Sequence, residues 1–161
     1  MFRDMRRKRQ AMSKEECEAV LHRETSGVLA LYGDEGYPYA VPLSYAYEDG
    51  NLYFHCARSG HKLDAVLRNE KASFCVIDQD EVVPEAYTTH FRSVILFGRV
   101  SPVEEEGEKK RILEILACKY APEHTKEQHD EAIRAEWAGV CVLKFEIDHM
   151  SGKQAKELIR S

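Results

Sequence analysis

The sequence predicts a mainly β fold with peripheral helices, built as a small closed or split β-barrel (α+β) of about six antiparallel strands. Three observations predict it. The apolar runs are short, aromatic and β-branched, as in Gly27–Tyr32 and Gly139–Ile147, which suits strands better than helices. Asp49-Gly50 between two such runs is a strong two-residue hairpin signal, so the flanking strands should be antiparallel neighbours. No GxGxxG follows a strand and no Walker loop is present, which leaves doubly wound nucleotide folds without support.

Composition narrows the class. A chain of 161 residues fits one domain with a sizeable core, expected over residues 13–153 between a basic arm (1–12) and a short tail (154–161). The formal net charge of −5 argues against nucleic acid as a partner. Five cysteines without a CxxC pair read as free thiols in a reducing compartment, with no disulfide framework and no metal site. No apolar run is long enough to span a membrane and no signal peptide is evident, so the expected location is cytoplasmic.

Each element has its own signal. The arm carries Arg3, Arg6, Arg7, Lys8 and Arg9 and fits either a loosely docked terminus or contact with an anion. Ser13 with Glu16 forms a capping box opening a helix through Cys17, Val20 and Leu21. Gly27–Tyr32 follows as a strand, and Gly33–Gly36 as a turn. Tyr37–Tyr47 reads as one long strand, with Pro42 marking an edge or a bulge. Leu52–Ala57 is the second strand of the Asp49-Gly50 hairpin. After a short helix, Ala72–Asp78 is a strand, Gln79–Tyr87 an acidic surface loop, and Thr88–Val100 a long strand. Ser101 with Glu104 reads as another capping box, with Pro102 at the first helical position. A further helix runs from Thr125 to about Trp137, Gly139–Ile147 is the last strand, and the tail from Met150 is polar and weakly helical.

The stretch Asn51–Arg68, NLYFHCARSGHKLDAVLR, organises the rest. Its strand breaks at Ser59-Gly60, and Leu63, Val66 and Leu67 then form an apolar helical stripe. Ser59 is the expected N-cap, and Arg58 and Lys62 flank the helix start. Free N–H donors, a positive helix end and two cations make an anion site; the same residues also fit solvated surface charges. Histidines 55 and 61 flank this turn at a spacing that matches no strong metal pattern. No GxSxG elbow or recognisable catalytic cysteine is present, so any chemistry is expected to come from a bound cofactor.

The segments VPLSYAY, DGNLYFHCARSGHKLDAVLRNEKASFCVI and HFRSVILFGRV resemble the pyridoxamine 5'-phosphate oxidase-like superfamily, and within it the flavoproteins related to nitroimidazole resistance. The resemblance spans Met5 to Lys153. It implies an FMN-binding split barrel acting as a homodimer, with flavin sites at the subunit interface. It sets the flavin ring against Val41, Pro42, Leu43 and Ser44. The phosphate is set at the turn, chiefly against Lys62 with Arg58 and Ser59; His55, Ala57, Gly60 and His61 complete the cofactor-binding set. Arg92 and Ser93 match a position near the cofactor of the facing chain, and His61 is the implied catalytic residue. The basic substrate-phosphate residues of true pyridoxamine oxidases find no match, so vitamin B6 oxidation is not the expected reaction. The implied reaction is reduction of a small acceptor, such as a nitroaromatic, by electrons from NAD(P)H. A haem-binding or haem-degrading barrel and a non-catalytic flavin-sensing module are the alternatives.

Overall fold

The computed structural model describes residues 1–160. Seven antiparallel strands form one sheet: β1 (Ser26–Tyr32), β2 (Pro38–Ser44), β3 (Ala46–Glu48), β4 (Asn51–Ala57), β5 (Lys71–Val83), β6 (Thr88–Pro102) and β7 (Val140–Gln154). Four helices surround it: α1 (Lys14–Arg23), α2 (His61–Arg68), α3 (Glu106–Tyr120) and α4 (Lys126–Glu136). The strand order is β2-β1-β5-β6-β7-β4-β3. The two edge strands, β2 and β3, are separated in sequence by Tyr45 alone. The sheet therefore has to curl until its edges approach, and no ladder joins them among the described residues. This is a split barrel.

The break at Tyr45 corrects the expectation of one strand from Tyr37 to Tyr47. Tyr45 is fully buried; its hydroxyl donates to the Leu21 carbonyl at 2.8 Å and its N–H donates to the Tyr120 hydroxyl at 2.8 Å. A buried phenol needs such a partner, and meeting that need pulls the chain out of one edge and into the other. Pro42 lies in an edge strand as expected, where a residue without an N–H is tolerated. The Asp49-Gly50 turn holds positive φ at both residues, 49° and 77°, and joins β3 to β4.

Two clusters make the core. The barrel interior holds Leu29, Tyr45, Phe54, Phe74, Val76, Leu96 and Phe145, with Val20 and Leu21 from α1. A second cluster packs Tyr53, Val140 and Val142 under Ile112, Leu113 and Leu116 of α3. β4 is thus buried on both faces at Leu52, Tyr53 and Phe54.

The capping boxes at Ser13–Glu16 and Thr125–Gln128 form as read. That at Ser101 does not: Ser101 and Pro102 are the last residues of β6, paired with Lys144 and Leu143. α3 instead starts at Glu106, capped by the Glu105 carboxylate, which accepts from the N–H groups of Gly107 and Glu108. The acidic stretch from Gln79 is the far half of a hairpin, with β5 running to Val83 before a short 3-10 turn at Pro84–Ala86. The tail is also strand: β7 continues to Gln154, opposite Arg92.

A bulge between Ile77 and Gln79 leaves Asp78 as the extra residue of β5. Its carboxylate, almost fully buried, accepts from Arg23 at 2.6 and 2.7 Å and from Arg92 at 3.0 Å. The Arg23 guanidinium, with Arg92 assisting against burial, holds its pKa down at about 2. A depressed carboxylate contributes stability that is present above its ordinary pKa and lost as pH falls through the lowered one. Between pH 4 and 2 this group is expected to account for about 2 kcal/mol of lost stability. Thermal melts over that range should fall less steeply for Asp78→Asn than for the parent; parallel curves would refute the assignment.

Candidate functional site

β4 delivers the chain to the turn Arg58–Gly60, and α2 begins at His61. The helix cap is Gly60, not Ser59: Gly60 has φ 138° and ψ 173°, and no side chain caps the first turn. That φ is open to glycine and costly for other residues. A Cβ at Gly60 would meet no atom within 4 Å beyond its chain neighbours, so the turn is open on that side. An uncapped helix start with an open turn before it fits a phosphate.

The side chains around the turn divide into two sides. Lys62 is half-buried, with its ammonium close enough to the Cys56 sulfur to lower that thiol's pKa against burial and Cys141. Arg58 leans toward α4, where its guanidinium donates to the Trp137 carbonyl at 3.5 Å. That carbonyl also accepts from Lys109 Nζ at 2.9 Å, and the ammonium lies 4.3 Å from the centroid of the Trp137 ring. Arg58, Leu63, Lys109, Trp137 and Cys141 line a cavity of about 400 Å³ here.

On the other side, His61 stacks on Tyr39 of β2, with ring centroids 3.9 Å apart and planes inclined by 20°. Its Nε2 is 3.7 Å from Asp34, and Arg68 binds the same carboxylate at 2.8 Å. Arg68, with His61 adding to it, holds the Asp34 carboxyl below its usual range. Three residues that the sequence reading did not use, Asp34, Tyr39 and Arg68, thus define the setting of His61. Tyr39 had a signal: it stands two residues before Val41, on the same face of β2.

The remaining site residues fall in three places. Val41 and Leu43 turn inward against the core, whereas Pro42 and Ser44 are exposed on the opposite face. His55 and Ala57 are exposed near the end of β4, opposite Val142 and Val140. Arg92 and Ser93 do not join the turn within one chain. β6 carries them opposite Gln154 and Lys153, whereas its other end lies beside the β7 residues next to β4. Arg92 is also engaged, by Asp78 at 3.0 Å and by Gln154 at 3.2 Å. In α2, Leu67 is exposed rather than part of the apolar stripe, and Ala65 and Val66 are the buried residues.

The family model for pyridoxamine 5'-phosphate oxidase matches residues 13–154. The chain belongs to that family. Among solved structures, it is similar to a candidate 5-nitroimidazole antibiotic resistance protein from Bacteroides thetaiotaomicron. The two are 25% identical over 89% of this chain and 85% of that one, with a TM-score of 0.75. An FAD-binding protein from Mesorhizobium loti is 24% identical over 91% and 97% of the two chains, TM-score 0.62. An FAD and heme binding protein from Mycobacterium smegmatis is 21% identical over 91% and 74%, TM-score 0.73. These last two establish the shared fold. No curated protein matches the sequence. No helix among the described residues is long and apolar enough to cross a membrane, and no cluster of three or more metal-ligating side chains occurs among them.

Proposed function

We propose that this chain binds FMN and transfers electrons from NAD(P)H to a small acceptor, with nitroaromatic compounds the first class to test. The observation that carries the reading is the open, uncapped start of α2 beside Lys62, in a chain of the pyridoxamine 5'-phosphate oxidase family. Bound FMN supplies the two-electron chemistry that the protein's own side chains lack. The α2 amides and Lys62 hold its phosphate, with Ser59 and Gly60 forming the turn. β2 is paired on one side only, so outward backbone groups along Val41–Ser44 are free to hydrogen-bond the polar edge of the ring. One phosphate-sized site favours FMN over FAD, although two similar structures are of FAD-binding proteins.

Lys62→Ala is expected to weaken FMN binding about tenfold to a hundredfold, since a charge-assisted hydrogen bond is worth about 1.5–3 kcal/mol. Titration of the cofactor-free protein, followed by flavin fluorescence, measures this; unchanged affinity would make Lys62 a surface charge. The reading as a whole is tested by the absorption spectrum of the purified protein and chromatography of its heat-released cofactor. FMN, bleached by NADH or NADPH, is expected. FAD, a Soret band, or no flavin after reconstitution would overturn it.

The functional unit is proposed to be a homodimer that brings Arg92 and Ser93 of one chain to the flavin of the other. The four tyrosines between residues 37 and 47 offer no shared surface for a second chain: Tyr45 is buried, Tyr39 and Tyr47 pack on the barrel core, and Tyr37 alone of the four is widely exposed. Apolar surface lies instead on the outer face of the sheet, where Val28, Ile77, Ile95 and Phe97 are each at least 39% exposed. Pro42, Val28, Cys75 and Ile95 stand opposite one another in a row across β2, β1, β5 and β6, and directly paired residues share a face. A contiguous apolar face of this kind marks an interface. Light scattering is expected to return twice the chain mass for the parent and a monomer for Ile95→Glu; a monomeric parent with cofactor bound would rule the dimer out.

A further inference from the structure

Cys56 and Cys141 stand directly opposite each other across the β4–β7 ladder. Residues so placed in an antiparallel pair hold their Cα atoms about 4.5–5.5 Å apart, within the span of a disulfide. Both side chains pack against the barrel core, and the Cys141 thiol donates to the Val142 carbonyl at 3.9 Å. The cysteines are free.

The two sulfurs differ in surroundings. Cys141 lines the cavity of about 400 Å³ beside Arg58, Lys109 and Trp137, and the Lys109 ammonium is near enough to feel its charge. The cavity gives a small reagent access to this sulfur, beside two cationic side chains. Cys56 is not among the cavity's lining residues. Burial and the neighbouring Cys141 push its thiol up to about 11, against the pull of Lys62, and Cys141, which lines the cavity, is the sulfur that meets the reagent.

We propose that Cys56 and Cys141 are a redox-active dithiol that a small organic hydroperoxide converts into a cross-strand disulfide. The Cys141 thiolate attacks the terminal peroxide oxygen, and the O–O bond breaks. The alkoxide leaves and takes up a proton as the alcohol, while the sulfur is oxidised to a sulfenic acid. The Cys56 sulfur then attacks the sulfenic sulfur, the S–O bond breaks, and the hydroxide leaves as water with the Cys56 proton. Two thiols have lost two electrons and two protons, and the hydroperoxide has become alcohol and water. The new bond fastens the end of β4 to β7 one residue before Ala57 and the turn. This chemistry is independent of whether the turn holds a flavin phosphate.

The test treats the full-length, pre-reduced protein with tert-butyl hydroperoxide, alkylates it under denaturing conditions and maps its peptides by mass spectrometry without reductant. A Cys56–Cys141 linked peptide that dithiothreitol removes is expected to be the main cysteine product. In Cys56→Ser, dimedone is expected to trap the sulfenic acid on Cys141. The proposal is overturned if both cysteines remain fully alkylatable in the parent, or if oxidation falls on the exposed Cys118 alone. The parent map decides the matter even where the variant does not fold.

Discussion

Phe74→Ala is expected to destabilise the fold by about 3–5 kcal/mol, the range for removing a fully buried aromatic ring. Phe74 is completely buried on β5, opposite Leu29 of β1 and Leu96 of β6. Its ring lies 5.3 Å from Tyr45, in an edge-on arrangement, and 5.3 Å from Phe54. It thus joins the centre of the sheet both to the residue where the barrel splits and to the strand that leads into the α2 turn. Gly27 completes the seat: a Cβ at that position would collide with the Phe74 ring. Truncation leaves a cavity that three strands in register cannot collapse around, so the cost should fall at the upper end. Guanidinium denaturation followed by circular dichroism measures it. A loss under about 1 kcal/mol would mean that neighbouring side chains refill the space, and that this ring is not the centre of the core.

The parts of the fold that could be read in advance are those whose signals are local. The Ser13 and Thr125 caps and the Asp49-Gly50 turn each depend on residues within four positions. The failures are where a partner distant in sequence decides. Gln79–Val83 has no alternation to mark it as strand, because that half of the hairpin projects past the core and is stabilised mainly by its ladder to Thr88–Arg92. Ser151–Gln154 looks like a polar tail, yet Gly152 and Gln154 are buried and paired with Val94 and Arg92. Ser101-Pro102 carries good helix-start chemistry, but pairing with β7 keeps it extended.

The site divides in the same way. The strand–turn–helix at Arg58–His61 was legible, since a glycine between a strand and an amphipathic helix is a local pattern. Ser59 was the wrong cap because the turn needs a φ of 138° at the residue before the helix, which glycine alone reaches cheaply. The break at Tyr45 in the expected Tyr37–Tyr47 strand was missed for a different reason. Tyr45 and Tyr47 each have a hydroxyl partner, the Leu21 carbonyl and the Glu18 carboxylate, that only the folded chain supplies. The contacts of His61 with Tyr39 and Asp34 were not legible at all.

Those contacts shape the expected behaviour of His61→Ala. In the fully FMN-loaded variant, reduction by the nicotinamide should persist while reoxidation by a nitroaromatic acceptor slows by roughly 10²-fold, the usual loss with a proton donor. The ring is held flat on Tyr39, and its Nε2 faces Asp34 at 3.7 Å. Arg68 holds that carboxyl below its usual range, so a carboxylate faces the ring nitrogen. The imidazole is therefore oriented, yet its side chain is 40% exposed and open to a bound acceptor beside the turn. Removing it should leave the fold intact, since an exposed aromatic pair is worth only about 0.5–1.5 kcal/mol. Stopped-flow absorbance at the flavin band separates the half-reactions. Slowing of reoxidation alone assigns His61 to proton delivery. Equal slowing of both would mean that the stack on Tyr39 sets the cofactor's position, and two parent rates would leave His61 with a purely structural part in the α2 turn.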